Sequence, residues 1–227
     1  MDESKGNSLI DGYLQRLEED GKTREKGILF VTDLVKPCLR NVYHNITVDT
    51  PPNVESLRIF ASGNLIEDFW VQGILKNNKE IKLLNTQLPT RYIDPDKGIE
   101  VHGRIDALCQ INNKELCVRE VKSIKNFYYL NGPKQDHYQQ IQFYLGCLGI
   151  ENGSIDYLSK ENLLQGLDII DRCFPVRRDP EVFEYMIKRA EELTTLVASN
   201  EIPPACQCWS CWKWCDDSEC EFHGLKV

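Results

Sequence analysis

No apolar run in this 227-residue chain is long enough to span a bilayer. Its first residues, MDESKGNSLIDG, lack the basic and apolar regions of a secretory signal. A cytoplasmic protein with no membrane partner, cellular or virus-encoded, is the expectation. A surplus of basic charge is also missing. The net charge of -8 argues against a wholesale basic coat for nucleic acid, although it leaves room for a local basic groove. There is no internal repeat, low-complexity tract or clear linker, so one domain over residues 1–227 is expected. Hydrophobic content of 41% and charged content of 27% are those of a soluble globular protein.

What the chain does have is cysteine, unevenly spread. Of ten, five fall between Cys206 and Cys220. In an intracellular chain such clustering favours metal or cluster ligation over disulfides.

The chain is organised around residues 98 to 125, GIEVHGRIDALCQINNKELCVREVKSIK. This reads as two strands about a turn at Asn112-Asn113-Lys114, since Asn tolerates left-handed backbone. A three-residue loop sets Ile111 opposite Glu115, and counting outward sets Asp106 opposite Glu120, with Lys122 on the same face. Facing carboxylates repel unless a cation separates them, and a hard divalent ion with oxygen ligands suits them. A neighbouring lysine can orient a metal-bound water or stabilise charge on a phosphate. The pattern therefore points to phosphodiester cleavage, although Glu-x-Lys by itself is common on ordinary hairpins.

Residues 8 to 20 read as an amphipathic helix with Leu9, Tyr13, Leu14 and Leu17 on one face. A second helix starts near Thr32 or Asp33, with Pro37 in a first turn or at a kink; Cys38 and Arg40 lie here. Residues 53 to 76 read as a helix that buries Val54, Leu57, Leu65, Phe69 and Ile74 and carries Gly63 and Glu67 on one face. A glycine there suggests close approach by another backbone. A strand over 79–85 follows. A helix over 135–150 has His137, Gln140 and Tyr144 on one face and Ile141, Leu145 and Leu148 on the buried side. Residues 153–159 and 167–174 read as a hairpin, and 180–199 as a helix opened by Pro180 and stopped at Asn200. The tail is too short and polar to fold without a cross-link or a metal. The sum is an α/β or α+β domain with a mixed sheet and helices on its faces.

Together these segments resemble the PD-(D/E)XK nuclease superfamily. More narrowly, they are similar to its RecB-like branch that carries an iron–sulfur cluster, which includes the CRISPR-associated exonuclease of spacer acquisition and viral exonucleases. TDLVKPCLRNVYH resembles the segment with an isolated cluster cysteine, here Cys38. GNLIE resembles the first nuclease motif, with Glu67. GRID supplies Asp106, REVKS supplies Glu120 and Lys122, and QIQFY supplies Gln140 and Tyr144.

The resemblance implies a restriction-endonuclease-like fold and a DNA exonuclease acting on single-stranded ends. Asp106 and Glu120 would hold Mg2+ or Mn2+, with Glu67 and the main-chain carbonyl of Val121 completing the shell. Lys122 would position the attacking water, and Gln140 and Tyr144 would steer the strand. Arg40, Lys125 and Lys134 are candidates for backbone phosphates. A helicase, or proteins of CRISPR adaptation or recombination, would be partners. The resemblance also implies a 4Fe-4S cluster on Cys38 and three tail cysteines, tying residues 1–50 to 200–227 in one lobe. The tail spacing departs from the family's. Cys211, Cys215 and Cys220 form one triplet, and Cys208, Cys211 and Cys215 another. A zinc site on Cys208, Cys211, Cys215 and Cys220, or with His223 replacing one, is the alternative. A zinc-stabilised endonuclease and a non-catalytic DNA-binding adaptor are the competing functions.

Overall fold

The computed structural model describes residues 12–14, 16, 28–48, 52–112, 114–168, 170–206 and 220. Its centre is the expected hairpin, β3 (Ile99–Ile111) and β4 (Glu115–Ile124). Ile111 pairs with Glu115, and the antiparallel ladder runs on to Ala107 opposite Arg119. Asn112 takes a left-handed backbone, φ 50°, which an asparagine accepts at little cost.

Strands assemble on this hairpin into one mixed sheet. β5 (Asn152–Ser159) runs parallel to β4, and β6 (Asp171–Arg177) runs antiparallel to β5. β2 (Ile81–Asp94) pairs antiparallel with β3. β1 (Leu29–Phe30) pairs parallel with β3 at Val101 and His102 only. β2 outruns the expected strand and includes Pro89. A proline without an amide proton is tolerated there because β2 has a single strand neighbour.

Two cores sandwich the sheet. The larger joins Ile99, Val101, Ile105, Val118 and Ile155 to α4 (Gln135–Leu148) and α6 (Pro180–Ser199) through Ile141, Phe143, Leu145, Met186 and Leu193. Two short helices, α1 (Val31–Leu34) and α2 (Leu39–Thr47), close this side, and Pro37 falls in the break between them. The smaller core joins Ala107, Cys109, Val121 and Leu158 to Trp70, Val71 and Leu75.

Several sequence expectations need correction. The helix after Asn53 is α3 (Val54–Asp68), and from Phe69 to Leu75 it widens into a π-helical turn. The wider turn changes which residues face inward. Leu65, Phe69 and Ile74 are exposed, and Trp70, Val71 and Leu75 are buried in their place. Nothing among the described residues comes within 4 Å of a Cβ at Gly63, so no backbone contact among them explains that glycine. Leu148 is exposed at the end of α4. β5 and β6 do pair antiparallel as the expected hairpin, with a further helix, α5 (Lys160–Gln165), in their connection. Of the first predicted helix only 12–14 and 16 are described; they are helical, with Leu14 buried but Tyr13 exposed. No helix among the described residues is long and apolar enough to cross a membrane.

Candidate active site

Beyond the Ala107–Arg119 pair the central ladder stops, and β3 and β4 part. Asp106 stands at this fork. Its carboxylate turns to the β4 backbone and accepts the Val121 N–H at 2.7 Å, where the next ladder bond would fall. The pleat of β3 also reverses here. Ile105 packs in the larger core and Ala107 in the smaller, although two residues apart they should share a face. The facing strand is irregular at the same point. Thr86 pairs with Ala107 and Leu88 with Ile105, so Gln87 lies opposite Asp106, and Gln87 has φ 52°. A non-glycine residue held in left-handed backbone within a strand is strained, and such strain concentrates at functional sites.

Gln87 is the site residue that sequence reasoning missed. Its side-chain amide donates to Glu67 Oε1, tying β2 to the end of α3. The nearest signal was Pro89, which marks β2 as irregular. Arg104 was also missed: its charge bears on both Glu67 and Asp106. Glu67, Gln87 and Arg104 line a cleft of about 270 Å³. The cleft shares Gln72 and Thr86 with an open trough of about 950 Å³ that carries Lys76, Lys79 and Lys82.

Glu120 is fully buried, at 0% exposure. The Lys122 ammonium lies 2.6 Å from its Oε1, and no other donor among the described residues reaches either carboxylate oxygen. Burial, joined by the Asp106 charge, raises the Glu120 carboxyl well above the carboxylate range, against the pull of Lys122. Burial raises Asp106 too, with Lys122, the Val121 N–H and Arg104 holding it back. Glu67 is pushed up to about 7 by burial and by Asp106, against Arg104 and Lys122. Burial works to lower Lys122, but the Glu120 and Asp106 charges outweigh it and keep the ammonium. Three carboxyls thus compete for little positive charge, and without a cation the site keeps a proton at neutral pH.

All four residues named by the motifs therefore act on one another. Gln140 and Tyr144 take a different place from the one expected. They are 6% and 2% exposed, and Gln140 Nε2 donates to the Tyr144 hydroxyl at 3.2 Å. So buried, the pair braces the site from within. The brace needs Gly103: a Cβ there would lie 2.5 Å from the Tyr144 ring. His137 is held neutral by burial, its pKa lowered to about 4, and its Nδ1 lies 2.8 Å from the Tyr157 hydroxyl.

On the other face a polar cluster anchors β5 and the Glu67 helix. Asp156, at 0% exposure, accepts from Arg119 Nε at 2.7 Å and Nη2 at 2.9 Å, from Trp70 Nε1 at 3.0 Å and from Ser154 Oγ at 2.6 Å. Trp70 lies in the first part of the π-helical turn, three residues past Glu67, so this cluster sets where the helix end sits.

The donor set at the fork is all oxygen, with three carboxyls against the Lys122 and Arg104 charges, which fits a hard divalent cation. Among the described residues, however, no three acidic, histidine or cysteine side chains already converge as a coordination sphere. Cys38 and Cys220 are buried free thiols, and the Cys38 sulfur caps α2 by accepting the Asn41 N–H at 3.4 Å. Cys208, Cys211, Cys215 and His223 lie outside the described residues. Arg40 lies on α2, and Lys125 and Lys134 are exposed at the ends of the β4–α4 loop.

No family model and no curated protein matches the sequence. Solved structures do match. The protein SSO0001 is 22% identical with a TM-score of 0.63, over 92% of this chain and 94% of that one. LHK-Exo, an alkaline exonuclease from Laribacter hongkongensis, is 13% identical with a TM-score of 0.52, over 77% of this chain and 90% of its own. The same enzyme crystallised with dAMP is 12% identical, with a TM-score of 0.55. The fold is the one found in alkaline exonucleases. It is the restriction-endonuclease-like mixed sheet expected from the sequence.

Proposed function

We infer that this protein is a divalent-metal-dependent deoxyribonuclease that works as an exonuclease on single-stranded DNA ends. The observation that supports it best is Glu120, a fully buried carboxylate whose one close partner among the described residues is the Lys122 ammonium, set with Asp106 at a fork in an exonuclease-type sheet. Burying such a group costs several kcal/mol, and Lys122 repays it only in part, since the Glu120 carboxyl stays raised against the pull of that ammonium.

Asp106, Glu120 and the Val121 carbonyl would hold Mg2+ or Mn2+, with Glu67 as a further ligand directly or through water. Bound there, the ion would acidify a water and neutralise charge on the scissile phosphate. The chain's own part falls to Lys122. Its side chain is 24% exposed against 1% for Glu120, so it is the charge that meets solvent and substrate. Its ammonium donates to the attacking water or to a phosphate oxygen, and Glu120 fixes its position. Lys76, Lys79 and Lys82 along the trough attract the strand's phosphates.

The test uses single-stranded and duplex oligonucleotides labelled at either end, in Mn2+ and in EDTA. Stepwise loss from an end in Mn2+ is expected, faster on single strands. Asp106→Ala and Lys122→Ala proteins with the parent's circular dichroism should show no cleavage; parent-level cleavage by both refutes the reading. Proton linkage is a second check. Cation binding displaces protons from the raised carboxyls, Glu67 at about 7 among them, so Mn2+ affinity should rise between about pH 6 and about pH 8. Calorimetry in buffers of different ionisation enthalpy should register the released proton, and a pH-independent affinity would count against a carboxylate metal site.

A 4Fe-4S cluster on Cys38 and three of the tail cysteines belongs to the same proposal, as a clamp with no redox role. Cys38 and Cys220 are both deeply buried, at 1% and 4% exposure, as cluster ligands need to be. Anaerobic purification should give brown protein absorbing near ~400 nm. Colourless protein with stoichiometric zinc would replace the cluster with a zinc site. A helicase, or proteins of CRISPR adaptation or recombination, would supply the unwound strand.

A further inference from the structure

The loop that joins β4 to α4 hides its ends and displays its middle. Phe127 and Leu130 are buried, while Tyr128 and Tyr129 between them are 77% and 95% exposed. Single exposed aromatics are common, but two adjacent ones this exposed are usually on a floppy segment, where ordering them would cost entropy. This loop is pinned instead. The Arg172 guanidinium sits 4.8 Å from the Phe127 ring centroid, and its Nη1 donates to the Leu130 carbonyl at 2.9 Å. Asn126 Nδ2 donates to Glu161 at 2.8 Å, and the Leu130 N–H closes a turn on the Phe127 carbonyl at 3.1 Å. The Glu161 N–H holds the Lys125 carbonyl at 3.0 Å, and the Lys134 N–H holds the Tyr157 hydroxyl at 2.9 Å.

These anchors also place the loop. Tyr157 pairs with Lys122 across β4 and β5, so the Tyr157 hydroxyl ties the loop's far end to the strand position of the site lysine. Tyr128 follows Lys122 by six residues, a reach of at most about 20 Å. Lys125 and Lys134, both exposed, flank the pair.

We propose that Tyr128 and Tyr129 form a stacking platform for unpaired bases of a single DNA strand entering the site, with Lys125 and Lys134 beside it for the backbone. This rests on the nuclease reading for its substrate, and it names the part of the chain that tells a single strand from a duplex. Rings carried on a pinned backbone bind bases without the loop first being ordered, and every base offers a π-face, so contact is independent of sequence. A duplex keeps its bases stacked on one another and gains nothing here.

The test is fluorescence anisotropy of a labelled oligothymidylate on the full chain carrying Asp106→Ala, in EDTA, so that the strand is not cut. Relative to that parent, the Tyr128→Ala/Tyr129→Ala protein should bind about tenfold more weakly or worse. Tyr128→Phe/Tyr129→Phe should stay within about twofold, because stacking needs the ring and not the hydroxyl. On an abasic oligomer of equal length the parent should bind weakly and the alanine changes should make no difference. Equal losses on both oligomers, no loss on either, or no binding by the parent would overturn the platform. So would unchanged DNA affinity with a changed sedimentation coefficient, which would assign the tyrosines to a protein contact. Cleavage in Mn2+ is measured separately. Cleavage with no tyrosine effect removes the platform and keeps the nuclease, and stacking without cleavage does the reverse.

Discussion

A Glu120→Gln protein will cleave DNA about a thousandfold more slowly than the parent and, freed of metal at about pH 8, will resist unfolding better. The first half follows from losing one of the two carboxylates at the fork. The second follows from the cost of keeping it there. Burial and the Asp106 charge raise the folded carboxyl above its ordinary value of 4.5. A raised acid binds its proton more tightly folded than unfolded. Its penalty is therefore absent below the unfolded value, grows as pH climbs from there to the folded value, and is constant beyond it. Each unit is worth about 1.4 kcal/mol, so the whole is on the order of a few kcal/mol. Glutamine keeps the shape and carries no charge. Thermal melting in EDTA at about pH 5 and pH 8 measures it: the parent should lose more stability over that interval than the variant. Parallel pH profiles would show that Glu120 carries no such strain.

The opposite face should give the largest loss of stability. Asp156→Ala leaves the Arg119 guanidinium, 7% exposed, without its counter-charge, and strips acceptors from Trp70 and Ser154. Breaking one partner of a buried pair costs about 3–5 kcal/mol, because the survivor stays charged in a dry place. A domain's whole stability is only about 5–15 kcal/mol, and each kcal/mol is worth roughly 2–4 °C at this length. A fall of about 10 °C is expected. Asp156→Asn, which keeps an acceptor for Arg119 or Trp70, should lose less. A denaturant titration separates the two, and an Asp156→Ala midpoint matching the parent's would mean that packing and not the ion pair holds β5 to the π-helical turn.

The sequence yielded the hairpin because its information is local. Ile111 meets Glu115 across three residues, and an asparagine supplies the left-handed turn. The helices bearing Glu67 and Gln140 were legible for the same reason. What escaped was non-local or off-period. Trp70 reaches Asp156 across 86 positions, and Arg119 does so across 37, distances at which no pattern in the chain pairs them. The face of α3 was misjudged because Phe69–Leu75 leaves the 3.6-residue repeat on which the choice of Leu65, Phe69 and Ile74 rested. Gln87 was invisible because a positive φ at a glutamine has no signature in the sequence, and the burial of Gln140 and Tyr144 because a periodic stripe tells which side chains align, not which way they turn.

The fork has a consequence for the molecule's life among other chains. Between His102, where β1 stops, and Ala107, where β4 begins, β3 has one flank without a strand. A bare strand flank invites a foreign strand to add to it, which is how sheets aggregate. Here side chains plug the opening: the Tyr144 ring lies against Gly103, and the Asp106 carboxylate takes the Val121 amide. The groups gathered for chemistry thereby also seal the sheet against addition by another chain.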